Sequence, residues 1–490
     1  MELLLSVCAH GFVLGPILLM LGYNLLGHDF ARRNFYWFAG LGVLWQLCTA
    51  VLSWRAMRAL DLGAYRFSVL WKLDADKAAY FELTGERLFL LGIIGLVSLI
   101  SVLIAVRTID FNRSSYANLL MILMLGMNGM LLVTDLFSLY VFMEVTGICC
   151  FVMIAMFRTR ADLEGSFKYL VMSELSSVFI LAGLAFLFMH TGSLRYADLG
   201  ALAQKLSEGG STQNLLCKTA LVLLISGFAI KTGAVPFHSW LPDAHQSADT
   251  AVSVLLSGVV IKIAGIYGLL TVMNLFGAFR PVRTALAALG ILSVIVGALL
   301  ASRQDHFKRV VAYSSVSQMG YILLGLSTGS TLGLVGALAH VFSHAAFKST
   351  LFVNAAALHE QTGTLEMSKM GGLENQMPKT AFCSVVAFLS TAGIPPLAGF
   401  WSKLLILLAL WSAGSRALAG TALIASILTA VYLLRMQRMV FFGQPREELK
   451  EVREIGGTIL FSEELLTALT IGAGLLYPLI LLYLHGRGIL

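Results

Sequence analysis

The sequence predicts an all-α integral membrane protein of about fourteen transmembrane helices, with two inverted five-helix repeats that each contain a discontinuous helix. Three observations carry that expectation. The chain of 490 residues is 58% hydrophobic and only 12% charged, with mean hydropathy +0.83, which leaves too little polar surface to cover a water-soluble fold. Its apolar residues gather into runs of about 17–25, the length that a hydrocarbon layer about 30 Å thick requires. Two of these runs are interrupted in corresponding places, one by proline and one by glycine and proline, the pattern of an inverted-repeat transporter.

In order, the runs lie near 2–26, 35–54, 88–106, 116–134, 136–157, 168–190, 217–240, 250–275, 283–301, 309–328, 332–357, 379–411, 417–442 and 461–484. Met1-Glu2 opens the first without a basic flank or a small-residue cleavage site, so it reads as an uncleaved span. The seventh run is broken at Pro236, whose ring leaves the carbonyl of Thr232 without its helical donor. The twelfth is too long for one straight span, and Gly393, Pro395, Pro396 and Gly399 interrupt it. Counted from the fourth run and from the ninth, each broken helix is fourth in a block of five. An odd block length makes the two blocks insert in opposite orientations.

The expected organisation is three helices over 1–114, with an extramembrane loop near 55–87, then a first repeat over 115–276 and a second over 277–442. An interfacial segment and the last helix occupy 443–490. The loop mixes Asp74, Asp76, Glu82 and Glu86 with its bases and reads as a small cap. The charged stretch 443–460 reads equally as a subunit contact or a solvated linker.

The net charge of +7 would suit nucleic acid, but the bases are scattered singly and in pairs between apolar runs, as loop anchors are, so nucleic-acid binding is excluded. Placing the N-terminus outside puts most loop bases on the cytoplasmic side, and an even number of spans returns the C-terminus outside. The expected location is the inner (cytoplasmic) membrane. The six cysteines lie in apolar runs without CxxC spacing and read as packing residues. No flavin, nucleotide or cluster motif is present, so no cofactor or metal is expected in this chain.

Several polar side chains interrupt the spans. Lys231 and Lys262 lie deep in apolar runs, where an ammonium costs about 2.5–3.5 kcal/mol unless it faces protein or water. Glu144 stands nine residues beyond Asp135, hence about 14 Å along its helix, and a carboxyl there is either protonated or paired. Glu174 reads as a further buried acid, either a second partner for Lys231 or a local helix–helix bond. His340, His344 and Lys348 are spaced i, i+4, i+8 and share a helix face. Such a file can relay protons, or its histidines can be neutral interhelical hydrogen-bonders. A zinc site is disfavoured, because no carboxylate or cysteine accompanies the pair. Lys403 follows the second break, and His238 lies at the first, in VPFHSW. Asp305, His306, Lys308 and Arg309 read as interfacial anchors at the start of the tenth helix.

IKTGAVPFHSWLPDA followed by SVLLSGVVIKIAGIY resembles the seventh and eighth helices of the antiporter-like, proton-pumping subunits. These occur in respiratory complex I, membrane-bound hydrogenases and multisubunit sodium/proton antiporters. The resemblance implies that Glu144 pairs with Lys231 as a switchable proton carrier. It makes Lys262 the relay toward the second repeat, continued by His340, His344 and Lys348, with Lys403 as terminal carrier and His238 as the family histidine near the first break. Two positions depart from the pattern. Met143 stands where relatives have tryptophan, and QSADTAVSV replaces a proline-containing PTPVS segment, which leaves the loop after the seventh helix open. PPLAGFWSK is most similar to the hydrogenase and multisubunit-antiporter branch, and the chain's end soon after the last run fits that branch.

The implied function is the proton-translocating subunit of a complex I-related redox pump, itself without a redox centre. The alternatives are a multisubunit sodium/proton antiporter subunit and, from another class, a non-conducting structural subunit. Expected partners are other membrane subunits, including further antiporter-like ones, peripheral redox subunits of hydrogenase or dehydrogenase type, and lipid. The transported ion is the proton, with sodium as the alternative. Sodium favours several oxygen ligands, whereas the mid-membrane set is rich in nitrogen.

Overall fold

Twelve helices among the described residues are long and apolar enough to cross a membrane. The computed structural model describes residues 1–25, 34–68, 81–110, 112–200, 202 and 215–486. It divides into two units, Met1–Phe228 and Ala229–Leu490.

The first unit begins with α1 (Glu2–Leu25) and α2 (Phe35–Ala59), followed by strands β1 (Ala64–Phe67) and β2 (Phe81–Thr84). It continues with α3 (Gly85–Thr108), α4 (Arg113–Leu132), α5 (Leu136–Ile154), α6 (Arg160–Thr191) and most of α7 (Leu215–Thr232). Without a hydrophobic drive between helices in lipid, their association relies on close packing and interhelical hydrogen bonds. Both are present. The buried amides of Gln46 and Asn128 bond each other reciprocally at 2.9 and 2.8 Å, and Asn128 also donates to the Phe12 carbonyl at 2.9 Å, which joins α1, α2 and α4. Glycines allow near-contact elsewhere: a Cβ on Gly227 would meet Ile180 at 2.5 Å, and Ser176 of α6 donates to the Gly227 carbonyl at 2.7 Å.

The cap differs from the expected loop. Helix α2 runs on to Ala59, and the described part of the cap is the antiparallel pair β1–β2. Arg66 lies opposite Glu82 at 2.9 Å, and Phe67 stacks on Phe81 at 5.6 Å. Strands this short carry no readable alternation, and their pairing is made by cross-strand contacts between residues distant in sequence. Asp74 and Asp76 lie outside the described residues.

The second unit holds α8 (Trp240–Ser247), α9 (Thr250–Phe276), α10 (Arg280–Ala301), α11 (Phe307–Ser327) and α12 (Thr331–Thr362). After these come α13 (Pro378–Ala392), α14 (Ala398–Ser412), α15 (Arg416–Val440) and α16 (Thr458–Gly486). Helix α12 is buried almost continuously from Gly336 to Leu358 and packs against α9, α11, α13, α14 and α16. Helices α10 and α11 approach so closely that a Cβ on Gly320 would lie 2.5 Å from the Gly290 carbonyl.

Both breaks close in the same way. Helix α7 ends before Gly233 (φ +68°), whose N–H bonds Ile230 while that of Ala234 reaches back to Ala229. Helix α13 ends before Gly393 (φ +85°), whose N–H bonds Ser390 while that of Ile394 reaches back to Leu389. This is the Schellman ending, in which a left-handed glycine lets the chain satisfy the last carbonyls. The first break thus falls at Gly233, ahead of the expected Pro236, because the glycine has already ended the helix. A cis bond precedes Pro236 and Pro396 alike.

The stretch 443–460 is neither a free linker nor only an outward contact. Arg446 donates to the carbonyls of Met370 and Ser368, and Glu454 accepts the backbone N–H of Lys379 at 2.6 Å. The segment therefore ties α15 and α16 to the start of α13.

Candidate functional site

The second unit gathers most of the expected polar residues. On α12, His340, His344 and Lys348 have no exposed surface, and the ring centroids of the two histidines lie 6.5 Å apart. Lys348 Nζ donates to Ser314 Oγ at 2.5 Å and to the Val311 carbonyl at 3.2 Å, both on α11, and Tyr432 of α15 donates to the same Ser314 hydroxyl at 2.7 Å. His340 Nδ1 meets Ser402 Oγ at 2.9 Å, next in sequence to Lys403.

Lys262 lies on a π-helical stretch of α9, Leu256–Tyr267. Its Nζ curls back to the carbonyls of Ser257 at 2.5 Å and Gly258 at 2.6 Å. Wide π-turns recur at functional sites, and this one is pressed against the first break: a Cβ on Gly265 would lie 2.3 Å from Thr232 Oγ1. Ser257 also bonds Ser315 through their hydroxyls at 3.2 Å, and Ser315 is the sequence neighbour of the serine that holds Lys348. Helix α11 therefore presents neighbouring serines to α9, which carries Lys262, and to Lys348.

Lys403 is 3% exposed and donates to the Thr391 carbonyl at 2.8 Å and to Ser426 Oγ at 3.1 Å. Its Nζ stands 4.5 Å from the centroid of Tyr321, whose ring is 5.9 Å from that of His340. The α14 backbone approaches α13 closely enough that a Cβ on Gly399 would meet the Ser390 carbonyl at 1.9 Å. Among the described residues, Lys262, Lys348 and Lys403 form no salt bridge. Each amine rests on neutral oxygens, so a proton on it carries an uncompensated charge, and charge on one raises the cost of charge on the next.

Two residues that the sequence did not single out, His245 and Gln318, belong to this interior. His245 of α8 is fully buried and stacks on Phe352 of α12 at 4.6 Å. Both its ring nitrogens, both of His344 and both amide atoms of Gln318 on α11 lack a partner within the chain. Buried polar atoms of this kind are where proteins hold ordered water. The available signal was weak: AYSSVSQMGY is unusually polar for a span, and the histidine of LPDAHQS sits in a segment that reads as loop.

Other expected residues lie elsewhere. Lys231 is 6% exposed and stands in the last turn of α7. His238 is half-buried, with its ring edge-on to Tyr313 at 6.2 Å and Nδ1 without a partner. Glu144, in the first unit, accepts from Ser177 Oγ of α6 at 2.5 Å. Glu174 was expected to be buried and is exposed. The buried stripe of α6 runs through Ser173, Ser176, Ser177 and Ile180, and Glu174 lies about 100° off it.

Lys308 is buried rather than an interfacial anchor, and donates to the Ala248 carbonyl at 2.8 Å. Arg309 pairs with Asp243 at 2.7 Å, and Asp249 caps α9 by accepting the Ala251 N–H at 2.8 Å. These contacts supply the loop geometry that the missing proline segment left open. His306, outside the spans, is held down to about 4 by burial, with the Lys308 and Arg309 charges adding to it.

The chain is similar to known proteins in sequence and in fold. Residues 133–429, more than half of the chain, match the family described as NADH:quinone oxidoreductase/Mrp antiporter, TM. A Na(+)/H(+) antiporter subunit of Alkalihalophilus pseudofirmus is 31% identical over 469 residues, 94% of this chain and 92% of that one. An NADH-quinone oxidoreductase subunit of Desulforudis audaxviator is 34% identical over 380 residues, 76% of this chain and 74% of that one. A chain of the Mrp complex from a Dietzia species has the same fold, with TM-score 0.86 at 24% identity, covering 96% of this chain and 95% of that chain. A multi-pass helical membrane chain with lysines at two like-built breaks, matched at this length to both kinds of subunit, belongs to the antiporter-like subunit family of NADH:quinone oxidoreductases and Mrp antiporters.

Proposed function

We propose that the chain translocates protons along a lysine–histidine–glutamate axis at mid-membrane, as the ion-pumping subunit of a complex I-related redox complex. The observation that carries this reading is the run of buried groups in the second unit. Lys262 bonds the Ser257 carbonyl, the Ser257 hydroxyl meets Ser315 beside the Ser314 that holds Lys348, and the rings of His344, His340 and Tyr321 lie between Lys348 and Lys403 at centroid separations of 6.5 and 5.9 Å. Uncharged hydroxyls and imidazoles between amines are groups that can pass a proton in either direction. Glu144 and Lys231 are the switchable pair of the first repeat, Lys262, His340, His344 and Lys348 the relay, and Lys403 the outlet. His238 adjoins the first break. No redox group is assigned to this chain.

The architecture goes with this reading: fourteen spans, two inverted five-helix repeats over 115–276 and 277–442, both termini outside, in the inner membrane. Contacts of the second unit are consistent with that alternation, since Asp243 with Arg309, Lys308 with Ala248, Arg435 with Asp305 and Glu454 with Lys379 each join groups assigned to the same side. Glu174 bears on partners. It lies about 21 Å along α6, where an exposed carboxylate facing lipid would be costly, so another membrane subunit covers it. Peripheral redox subunits complete the assembly.

The test is coupled proton flux in the reconstituted complex. Lys231→Met and Lys403→Met each abolish it, and retention of full flux in both would leave only a structural role. The second reading, a subunit of a sodium/proton antiporter, is favoured by the antiporter relative, whose match spans 94% of this chain. Dependence of the flux on sodium decides for it.

A further inference from the structure

One fully buried carboxyl stands outside that axis. Glu463, in α16, has no exposed surface. Its Oε1 accepts from Asn354 Nδ2 at 2.6 Å, and Asn354 belongs to α12, the helix of His340, His344 and Lys348. Its Oε2 lies 2.9 Å from Thr380 Oγ1, and the same hydroxyl lies 2.8 Å from Oε1 of Glu454.

Counting hydrogens decides the protonation of this group. Three oxygens in a row at hydrogen-bond distance need two protons between them, whereas one threonine hydroxyl supplies only one. The second proton must sit on a carboxyl. Glu454 is half-buried, and its Oε2 already accepts the backbone N–H groups of Lys379 at 2.6 Å and Thr380 at 3.4 Å in the first turn of α13, so that this side chain is used as an acceptor on both oxygens. The proton therefore belongs to Glu463, whose carboxylate would otherwise be buried without a counter-charge.

An independent observation marks the same place. Asn354 Oδ1, the second amide atom of the side chain that touches Glu463, is buried and has no partner within the chain. An unpartnered buried acceptor beside a carboxyl is a position for bound water, the medium that hands protons onward. The other titratable groups nearby are Glu464, paired with Lys379 at 3.2 Å, and the Cys383 thiol of α13.

We propose that Glu463 is a proton-loading site, exchanging its proton through Thr380 and Glu454 with the membrane face at which α13 begins. For release, the proton on Glu463 Oε2 moves to Thr380 Oγ1 as the hydroxyl's own proton moves to Glu454 Oε1. Glu463 is left as carboxylate and Glu454 as the neutral acid. Loading is the reverse transfer, with Glu454 protonated from water. The proposal rests on the transport reading above.

The test uses the full complex in proteoliposomes, with infrared detection of protonated carboxyl and measurement of coupled proton flux. Glu463→Gln keeps the size of the side chain and both its hydrogen bonds but removes the exchangeable proton. Its expected result is loss of one carboxyl band present in the native protein and a fall in flux of at least about tenfold, the scale of a lost acid–base group. Thr380→Val, which removes only the linking hydroxyl, slows flux similarly while the band remains. Absence of the band from the native protein, or flux kept in both variants but lost in Lys403→Met, overturns this site alone. Flux kept in all three variants overturns the transport reading with it.

Discussion

The two helix breaks of this chain are built alike and equipped differently. Each has glycine followed three residues later by proline, Gly233 with Pro236 and Gly393 with Pro396, and each closes through the same pair of backbone bonds. The lysines, however, come from opposite sides. Lys231 stands two residues before its glycine, in the last turn of α7, whereas Lys403 stands ten residues after its glycine, on α14. Yet Lys403 returns its amine to the carbonyl of Thr391, which stands two residues before Gly393 as Lys231 does before Gly233.

Position seven after the proline completes the exchange. It is Lys403 in the second break and Asp243 in the first, and Asp243 pairs with Arg309 at 2.7 Å. The lesson is that both breaks have a lysine at the turn before the glycine, Lys231 by its place in the chain and Lys403 by the reach of its amine. The carbonyl end of a half-helix bears partial negative charge and unsatisfied acceptors. Either half can deliver the amine to it.

The strongest way to break this comparison is to move the lysine. Lys403→Met is expected to lower coupled flux at least about tenfold. Adding Thr391→Lys to that variant restores most of it, because the new amine starts at the carbonyl the old one reached. Failure of the double variant in proton-flux assays would show that the side of origin matters.

A smaller effect is expected from the close backbone approaches that hold each break. Alanine at Gly399 would meet the Ser390 carbonyl at 1.9 Å, and alanine at Gly265 would meet Thr232 Oγ1 at 2.3 Å. Each should destabilise by about 1–3 kcal/mol, the usual cost of overpacking, read as a lower unfolding temperature in detergent. Equal losses would mean that the two breaks are held equally tightly. Gly233→Ala and Gly393→Ala force a left-handed backbone on a residue with Cβ and should each cost about 1–2 kcal/mol. Here the comparison sharpens, because a Cβ on Gly393 also comes within 3.1 Å of Lys403 Cδ. Only that variant should reduce flux as well as stability.

A pH-dependent effect, rather than a loss at fixed pH, is expected in the anchoring cluster beside the first break. His306 is held at about 4 in the folded chain against an ordinary value of 6.5. The unfolded chain therefore binds the proton more readily between these values, and stability falls as pH drops through that window. His306→Gln should flatten this slope in thermal unfolding measured across the same pH range.

Much of this was legible from local pattern. Run lengths marked the spans, proline marked the first break and glycine with proline the second, and the i, i+4, i+8 spacing of His340, His344 and Lys348 marked a common face that is buried throughout. Serines were not legible in this way, because a hydroxyl in a span can bond its own helix as easily as a neighbour's. Ser314, Ser315 and Ser402 acquire their place from helices distant in sequence. Glu174 was misjudged for the complementary reason: an acid in an apolar run looks buried, but which face of α6 is covered depends on its neighbours. Glu463 went unread because its charged surroundings, Glu454 and Glu464, look like an interfacial helix start.

The sequence by itself determined that the chain crosses the membrane many times and that it breaks twice with a lysine near each break, because hydropathy and the conformational demands of glycine and proline act locally. Only the tertiary structure decided which neutral oxygens receive those lysines, which serines join them, and where α9 widens into a π-turn against Thr232. Those outcomes depend on how closely helices far apart in sequence approach one another, and no local propensity encodes that distance.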